Sequence, residues 1–238
     1  MNLSSPLDIS LAITGSGGAG SITAGELLLY LAGKHGCFGM MRRSFGPQIR
    51  GGEAAALVRI SHRPVECMND SFDLLIALDW RNAERFADEI ALHPGSLIIA
   101  DPAAGEVPEA IRALGLEILP LPMKSLAREV KAGRPNMVAL GALSHWLGFG
   151  AARAHELIEQ VFGRKGEEIV NGSCGVFDHG YTHPDILAAR QELAGASEGH
   201  AETDEAIWDL SGNEGCGLGA LRGGIRFAAA YPITPASD

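Results

Sequence analysis

The stretch "LDISLAITGSGGAGSITAGELLLYLAGKHG", residues 7–36, runs from an apolar strand through a cluster of glycines into a helix. Leu7 to Thr14 reads as an apolar strand, broken only by Asp8 and Ser10. "SITAGELLLYLAGKHG" carries apolar residues at helical spacing and stops at Gly36, a natural C-cap. Between them, Gly15, Gly17 and Gly20 follow the spacing G-x-G-x-x-G, with Ser16, Gly18 and Ala19 in the gaps. A strand, a glycine turn and a helix in this order open an α/β domain.

The alternation continues along the chain. Phe38 to Met41 reads as a short second strand, followed by a long loop, "RRSFGPQIRGGEA". Glu53 to Ser61 is a third strand and "FDLLIALD" a fourth, nearly all apolar. "WRNAERFADEI" reads as helix, "GSLIIAD" as strand, "GEVPEAIRALG" as helix, "LEILPLP" as strand and "KSLAREVKAG" as helix. From Asn136 to about Phe162 the pattern is helical, and "HPDILAARQELAG" is one further helix. The fold expected is α/β, a Rossmann-like, mainly parallel sheet with flanking helices.

Composition excludes several classes. Apolar residues make up 46% and charged residues 20%, too apolar for disorder. A net charge of −10 argues against nucleic acid as a partner. Cys37, Cys67, Cys174 and Cys216 are scattered without a C-x-x-C pair, which offers neither a disulfide framework nor a metal or iron–sulfur site. A cytoplasmic location follows as the default. "NMVALGALSHWLGFGAA" is shorter than the roughly 20 apolar residues of a membrane span, and reads as a buried core helix.

Three segments follow from the pattern. Residues 1–195 form the main domain, and 196–209, which include the small, acidic "ASEGHAETDEA", form a linker. Residues 210–238 carry a glycine-rich helix, then a strand from Phe227 to Ile233, then Thr234 and Pro235 as a helix start. One helix and one strand cannot bury a core, so this tail is expected to be the opening of a larger domain.

Two loops point to anion chemistry. Glycine at the first turn allows positive φ and close backbone approach, and the helix N-terminus offers unpaired N–H groups. The same turn also serves a strand–helix junction with no ligand. The second loop brings Arg42, Arg43, Ser44, Gln48, Arg50, Gly51 and Gly52 to the same sheet edge. Arginine there suits phosphate, although a solvated loop pairing with nearby acids has the same composition. A NAD site wants an acid at the end of the second strand, where Arg42 and Arg43 stand instead; NADP passes that test. Asp79 and Asp101, at strand ends, read as helix caps. "FDHGYTHPD", with Asp178, His179, His183 and Asp185, reads as a loop and helix start in preference to a metal site. Cys174 has no neighbouring base in sequence.

Taken in order, "ITGSGGAGSITAGELL", "SFGPQIRGGEAAALVRIS", "FDLLIALD" and "NMVALGAL" resemble the gamma domain of the 2-oxoacid:acceptor (ferredoxin/flavodoxin) oxidoreductases. "GNEGCGLGALRGGIRFAAAYPITPASD" resembles the start of that family's alpha subunit, the pyrimidine-binding thiamine domain, in the fused arrangement of the 2-oxoglutarate type more than the pyruvate type. The resemblance implies oxidative decarboxylation of a 2-oxoacid with coenzyme A to acyl-CoA, CO2 and reduced ferredoxin or flavodoxin. It implies thiamine diphosphate with Mg, an iron–sulfur cluster on a partner, and assembly with a beta subunit and the remainder of the alpha domain. The gamma domain would cover the active site and assist CoA binding. Gly15 to Gly20, Arg43, Ser44, Gln48 and Arg50 to Gly52 would serve CoA phosphates, and Thr234 would lie near substrate and thiamine. The chain alone is expected to be inactive. A stand-alone NADP-binding domain and a noncatalytic assembly module are the alternatives, and neither accounts for "YPITP".

Overall fold

Strand β1, Asp8–Ser16, has side chains covered on both faces. Ile9, Leu11 and Ile13 point into the larger core under the helices, while Ala12 belongs to a second cluster on the opposite face. The computed structural model describes residues 7–46, 52–81, 83–86, 89–193, 209–229 and 231. It divides into two units, residues 1–207 and 208–238.

The first unit contains a six-stranded sheet in the order β2-β3-β1-β4-β5-β6, with β2 Phe38–Phe45, β3 Glu53–Ser61, β4 Phe72–Ala77, β5 Leu92–Ala100 and β6 Ile118–Pro120. The β1–β4, β4–β5 and β5–β6 pairs are parallel. β3 runs against both β1 and β2, so β2 and β3 form a hairpin. The mainly parallel α/β sheet expected is therefore present, with one reversed strand. Because β3 is reversed, its first residue, Glu53, is paired with Ser16, the last residue of β1. This register brings Gly52 and Glu53, at the start of β3, beside the glycine loop.

Helix α1, Ser21–Lys34, starts at Gly20 in the left-handed region and is followed by Gly36, also left-handed. Its far end is pinned by His35, which is buried and stacked on Phe149. Gly150 N–H donates to His35 Nε2 at 2.9 Å, so Nδ1 carries the proton and donates to the Leu31 carbonyl at 2.9 Å.

Beyond the sheet lie α2 Glu109–Arg112, α3 Met123–Arg128, α4 Pro135–Leu147, α5 Ala151–Phe162, α6 Glu167–Tyr181 and α7 Pro184–Leu193. α4 is the buried core helix its composition predicts, with ten covered residues and Pro135 at its first position. It packs against α6 through glycines: a Cβ on Gly141 would strike the Phe177 carbonyl, and one on Gly180 the Val138 carbonyl. Close backbone contact of this kind requires glycine on both helices.

Several elements differ from the sequence reading. β2 continues through Arg42 and Arg43 to Phe45, because hairpin pairing with β3 holds these residues in the ladder. "WRNAERFADEI" supplies only a 3-10 turn at Ala83–Phe86 among the described residues. α6 places Asp178 and His179 on a helix and not in a loop. Its three glycines lower helix propensity, and tertiary contact outweighs that cost.

The second unit contains α8, Gly212–Arg222, the glycine-rich helix expected there. Ser211 and Glu214 form a reciprocal capping box at its start. None of its residues is buried, and Phe227 is 85% exposed. The strand expected from Phe227 is not formed at residues 227–229 or 231; no neighbouring strand among the described residues offers it a ladder. Thr234, Pro235 and residues 196–208 of the linker lie outside the described residues.

Candidate functional site

The glycine turn is held by its neighbours on every side. A Cβ on Gly15 would press against Ala19 Cβ at 3.0 Å and Leu78 Cβ at 3.3 Å, so the turn can fold back only without one. Gly18 and Gly20 have φ of 91° and 89°, a region glycine alone enters freely. Gly17 N–H donates to the Gly52 carbonyl, tying the first loop to the second. Ser21 Oγ donates to the Ala54 carbonyl at 3.2 Å.

Asp79 anchors the entrance to the turn. Its Oδ2 accepts from Ser16 N–H at 3.1 Å and from Ser16 Oγ at 2.6 Å. Its Oδ1 accepts from Arg81 N–H, and Arg81 Nη2 donates to Ser16 Oγ at 3.0 Å. Asp79 is thus a loop clamp, not the helix cap the sequence suggested. Asp101 does act on a helix, though a distant one: it accepts from the N–H of Lys124 in the first turn of α3.

Two cavities flank the glycine turn. The larger, about 530 Å³, lies between Gly17–Thr23, the start of β3 and the starts of α4 and α6. Glu53 and Asn136 form part of its wall and are 2% and 4% exposed. Arg85 donates to Glu53 Oε1 at 3.0 Å, but Glu53 Oε2 has no hydrogen-bond partner. Asn136 Nδ2 donates to the Gly20 carbonyl at 3.2 Å, and its Oδ1 is likewise unpartnered. A buried polar atom left unpaired costs about 1–3 kcal/mol, and both of these atoms are closed off from solvent. The smaller cavity, about 440 Å³, is lined by Ser16, Asp79, Arg81, Lys124 and Arg134. Gly17, Gly18, Ala19 and Arg134 line both.

Of the residues expected at the site, Gly17, Gly18, Ala19, Gly20 and Gly52 line the larger cavity and Ser16 the smaller. Gly15 packs beneath the turn. Arg43 forms an ion pair with Glu26 of α1 at 2.6 Å, and Arg42 pairs with Glu89 at 3.7 Å. Ser44 sits in the β2–β3 ladder opposite Ala55. Gln48, Arg50 and Gly51 lie outside the described residues. Glu53, Asn136, Arg134, Lys165, Arg81 and Lys124 were not legible in advance. The one available signal was "RGGE", where a carboxylate directly follows the glycines.

The remaining candidates do not form a site. His155 bonds Asp178 at 2.8 Å, whereas His179 and His183 stand 3.8 Å from Glu129 and Asp185. Burial, together with the nearby charges of Asp178 and Glu159, pushes the Cys174 thiol up, away from nucleophilic use. Among the described residues, no three His, Cys, Asp or Glu side chains are grouped to hold a metal ion. No described helix is long and apolar enough to cross a membrane.

Residues 10–183 match the family model described as pyruvate ferredoxin/flavodoxin oxidoreductase. A 2-oxoglutarate synthase subunit KorC of Methanothermobacter thermautotrophicus is 32% identical over 154 residues, covering 61% of this chain and 80% of the relative. The solved 2-oxoglutarate:ferredoxin oxidoreductase of Magnetococcus marinus, described with 2-oxoglutarate, coenzyme A and succinyl-CoA bound, superposes with a TM-score of 0.76 at 32% identity. That match covers 97% of this chain but only 40% of the Magnetococcus chain. The gamma subunit of a keto/oxoacid ferredoxin oxidoreductase from Geobacter sulfurreducens matches 77% of this chain and 98% of its own, with a TM-score of 0.59 at 25% identity.

Proposed function

Because the chain belongs to the pyruvate ferredoxin/flavodoxin oxidoreductase family, we propose that it is the gamma portion of a thiamine-diphosphate-dependent 2-oxoacid:ferredoxin oxidoreductase, followed by the opening of the alpha domain. The substrate proposed is 2-oxoglutarate, on the strength of its relatives' names. In the assembled enzyme, 2-oxoglutarate and CoA would give succinyl-CoA and CO2, with the electrons passing to ferredoxin. The observation that carries this reading is the cavity at the glycine turn. In a chain of net charge −10, exposed Arg134 and Lys165 stand at an opening lined by the first turn of α1. That arrangement suits a phosphate-bearing co-substrate, here CoA.

Thiamine diphosphate and its Mg are not suited by the described residues, which offer no grouped acidic or histidine ligands. The reading assigns them, with the iron–sulfur cluster, to the remainder of the alpha domain and a beta subunit. Thr234 would meet thiamine and substrate there. The NADP alternative loses support because Arg42 and Arg43, its 2′-phosphate candidates, are engaged by Glu89 and Glu26.

The test is 2-oxoglutarate-dependent reduction of ferredoxin by this chain alone and with its partner subunits. Activity only in the assembled enzyme, with CoA binding weakened by Arg50→Ala, is the expected result. Decarboxylation by the purified chain alone, or tight NADPH binding to it, would overturn the reading.

A further inference from the structure

Among the described residues, Ala132 is the only non-glycine with positive φ, at 62°. It lies in the turn that joins α3 to α4, where the Gly133 N–H donates to the Val130 carbonyl at 3.0 Å. This conformation is strained for a residue with a Cβ and open to glycine. Ala132 is also exposed, so burial of its methyl does not offset the strain. Glycine or asparagine would hold the position at lower cost. Backbone strain of this kind persists where the surrounding structure enforces it, and it gathers at functional sites.

The surroundings of Ala132 do enforce it, because close backbone contact seats the turn on α6. A Cβ on Gly172 would strike the Lys131 carbonyl. One on Gly133 would strike the Ala127 carbonyl and stand 2.6 Å from Val176 Cγ1. Lys131 Nζ pairs with Glu168 Oε2, in the first turn of α6, at 2.7 Å. Beyond the turn the chain passes directly to Arg134, which lines both cavities, and to Asn136, which bonds the Gly20 carbonyl. Ile169 and Ser173 of α6 line the larger cavity with them. The turn is therefore the joint between two walls of that cavity, and its backbone sets the direction in which α4 starts.

We infer that Ala132 is a positioning residue for the cavity at the glycine turn. Its Cβ confines the turn to the narrow left-handed basin, where glycine would admit a wide range of φ and ψ. α4 then has one direction relative to α6, and Arg134 and Asn136 are already placed before any ligand arrives. A ligand that does not have to order its own site binds more tightly. CoA is taken as that ligand on the reading above, while the confinement of the turn stands apart from it.

Ala132→Gly and Ala132→Asn test this by hydrogen exchange in the full chain and by kinetics in the assembled enzyme. In Ala132→Gly, amides of residues 133–140 should exchange about fivefold or more faster than in wild type. Its thermal midpoint should fall by no more than about 2 °C, because relief of strain offsets the added freedom. KM for CoA should rise about three- to tenfold, with kcat and the KM for 2-oxoglutarate unchanged. Ala132→Asn keeps a Cβ and tolerates the left-handed region, so it should restore both the exchange and the KM. Unchanged exchange or unchanged KM for CoA in Ala132→Gly overturns the inference, as does an asparagine variant no better than glycine. Faster exchange across the whole chain with a larger fall in midpoint makes Ala132 a stabilising residue only, and overturns it as well. Wild-type enzyme that turns over without CoA, with the expected exchange pattern intact, overturns instead the CoA reading.

Discussion

Asn136, in the first turn of α4, donates its side-chain amide to the carbonyl oxygen of Gly20, the residue that starts α1, at 3.2 Å across 116 positions of sequence. One hydrogen bond thus couples the buried helix to the glycine turn. It fixes both the left-handed backbone of Gly20 and the direction in which Asn136 Oδ1 remains unpaired.

Gly20→Ala tests that coupling. A Cβ at this position would stand 2.5 Å from Asn136 Nδ2 on a backbone with φ of 89°. The left-handed conformation alone costs about 1–2 kcal/mol for a residue with a Cβ, and the collision adds to it. Thermal denaturation should show a loss of about 2 kcal/mol or more, and CoA affinity should fall with it. A variant as stable as wild type would remove Gly20 as a backbone requirement.

The α4–α6 contact makes a sharper comparison. Gly180→Ala would drive a Cβ into the Val138 carbonyl and to 3.1 Å from the Ala142 nitrogen, with no flexible side chain to give way. A loss of about 3 kcal/mol is expected from overpacking against backbone. Gly175→Ala, on the same helix, meets only the Val130 side chain, at 3.3 and 3.7 Å, so a gain in helix propensity of up to about 1 kcal/mol offsets the crowding. Urea denaturation should show a large loss for Gly180→Ala and a change within about 1 kcal/mol for Gly175→Ala.

Asp8 and Arg59 pair across β1 and β3 with two parallel bonds of 2.9 and 2.8 Å. The guanidinium holds the Asp8 carboxyl below its ordinary value of 3.8. A depressed carboxyl pKa favours the folded state above the unfolded value, and that contribution disappears as pH falls through the folded one. Asp8 is half exposed, so Asp8→Asn should cost only about 0.5–1 kcal/mol at pH 7. The difference from wild type should vanish in denaturation below the carboxylate range.

Cys37 sits at 1% exposure, and burial pushes its thiol up to about 11 from an ordinary 9.0. A raised thiol pKa stabilises the fold below the unfolded value, and this is lost as pH rises from about 9 through 11. Cys37→Ala should therefore show a flatter stability profile over that range. In the folded wild type at pH 8, alkylation should reach exposed Cys67 and Cys216 and spare Cys37.

Chain-local chemistry determined much of this protein. The apolar runs of β1 and β4, the glycine turn between strand and helix, the buried α4 and the capping of α1 by Gly36 all follow from spacing and residue type, because each depends on neighbours a few positions away. Tertiary structure decided the rest. β3 runs against the other strands, and nothing within "EAAALVRIS" states its direction; pairing with β1 does. α6 reads poorly as a helix because Gly172, Gly175 and Gly180 oppose it locally, and it forms because Gly180 lets α6 meet the backbone of α4. The site shows the same division. Gly17 to Gly20 could be read from their spacing. Glu53, Asn136, Arg81, Lys124 and Arg134 come from four separated segments, and only packing brings them around the glycine turn.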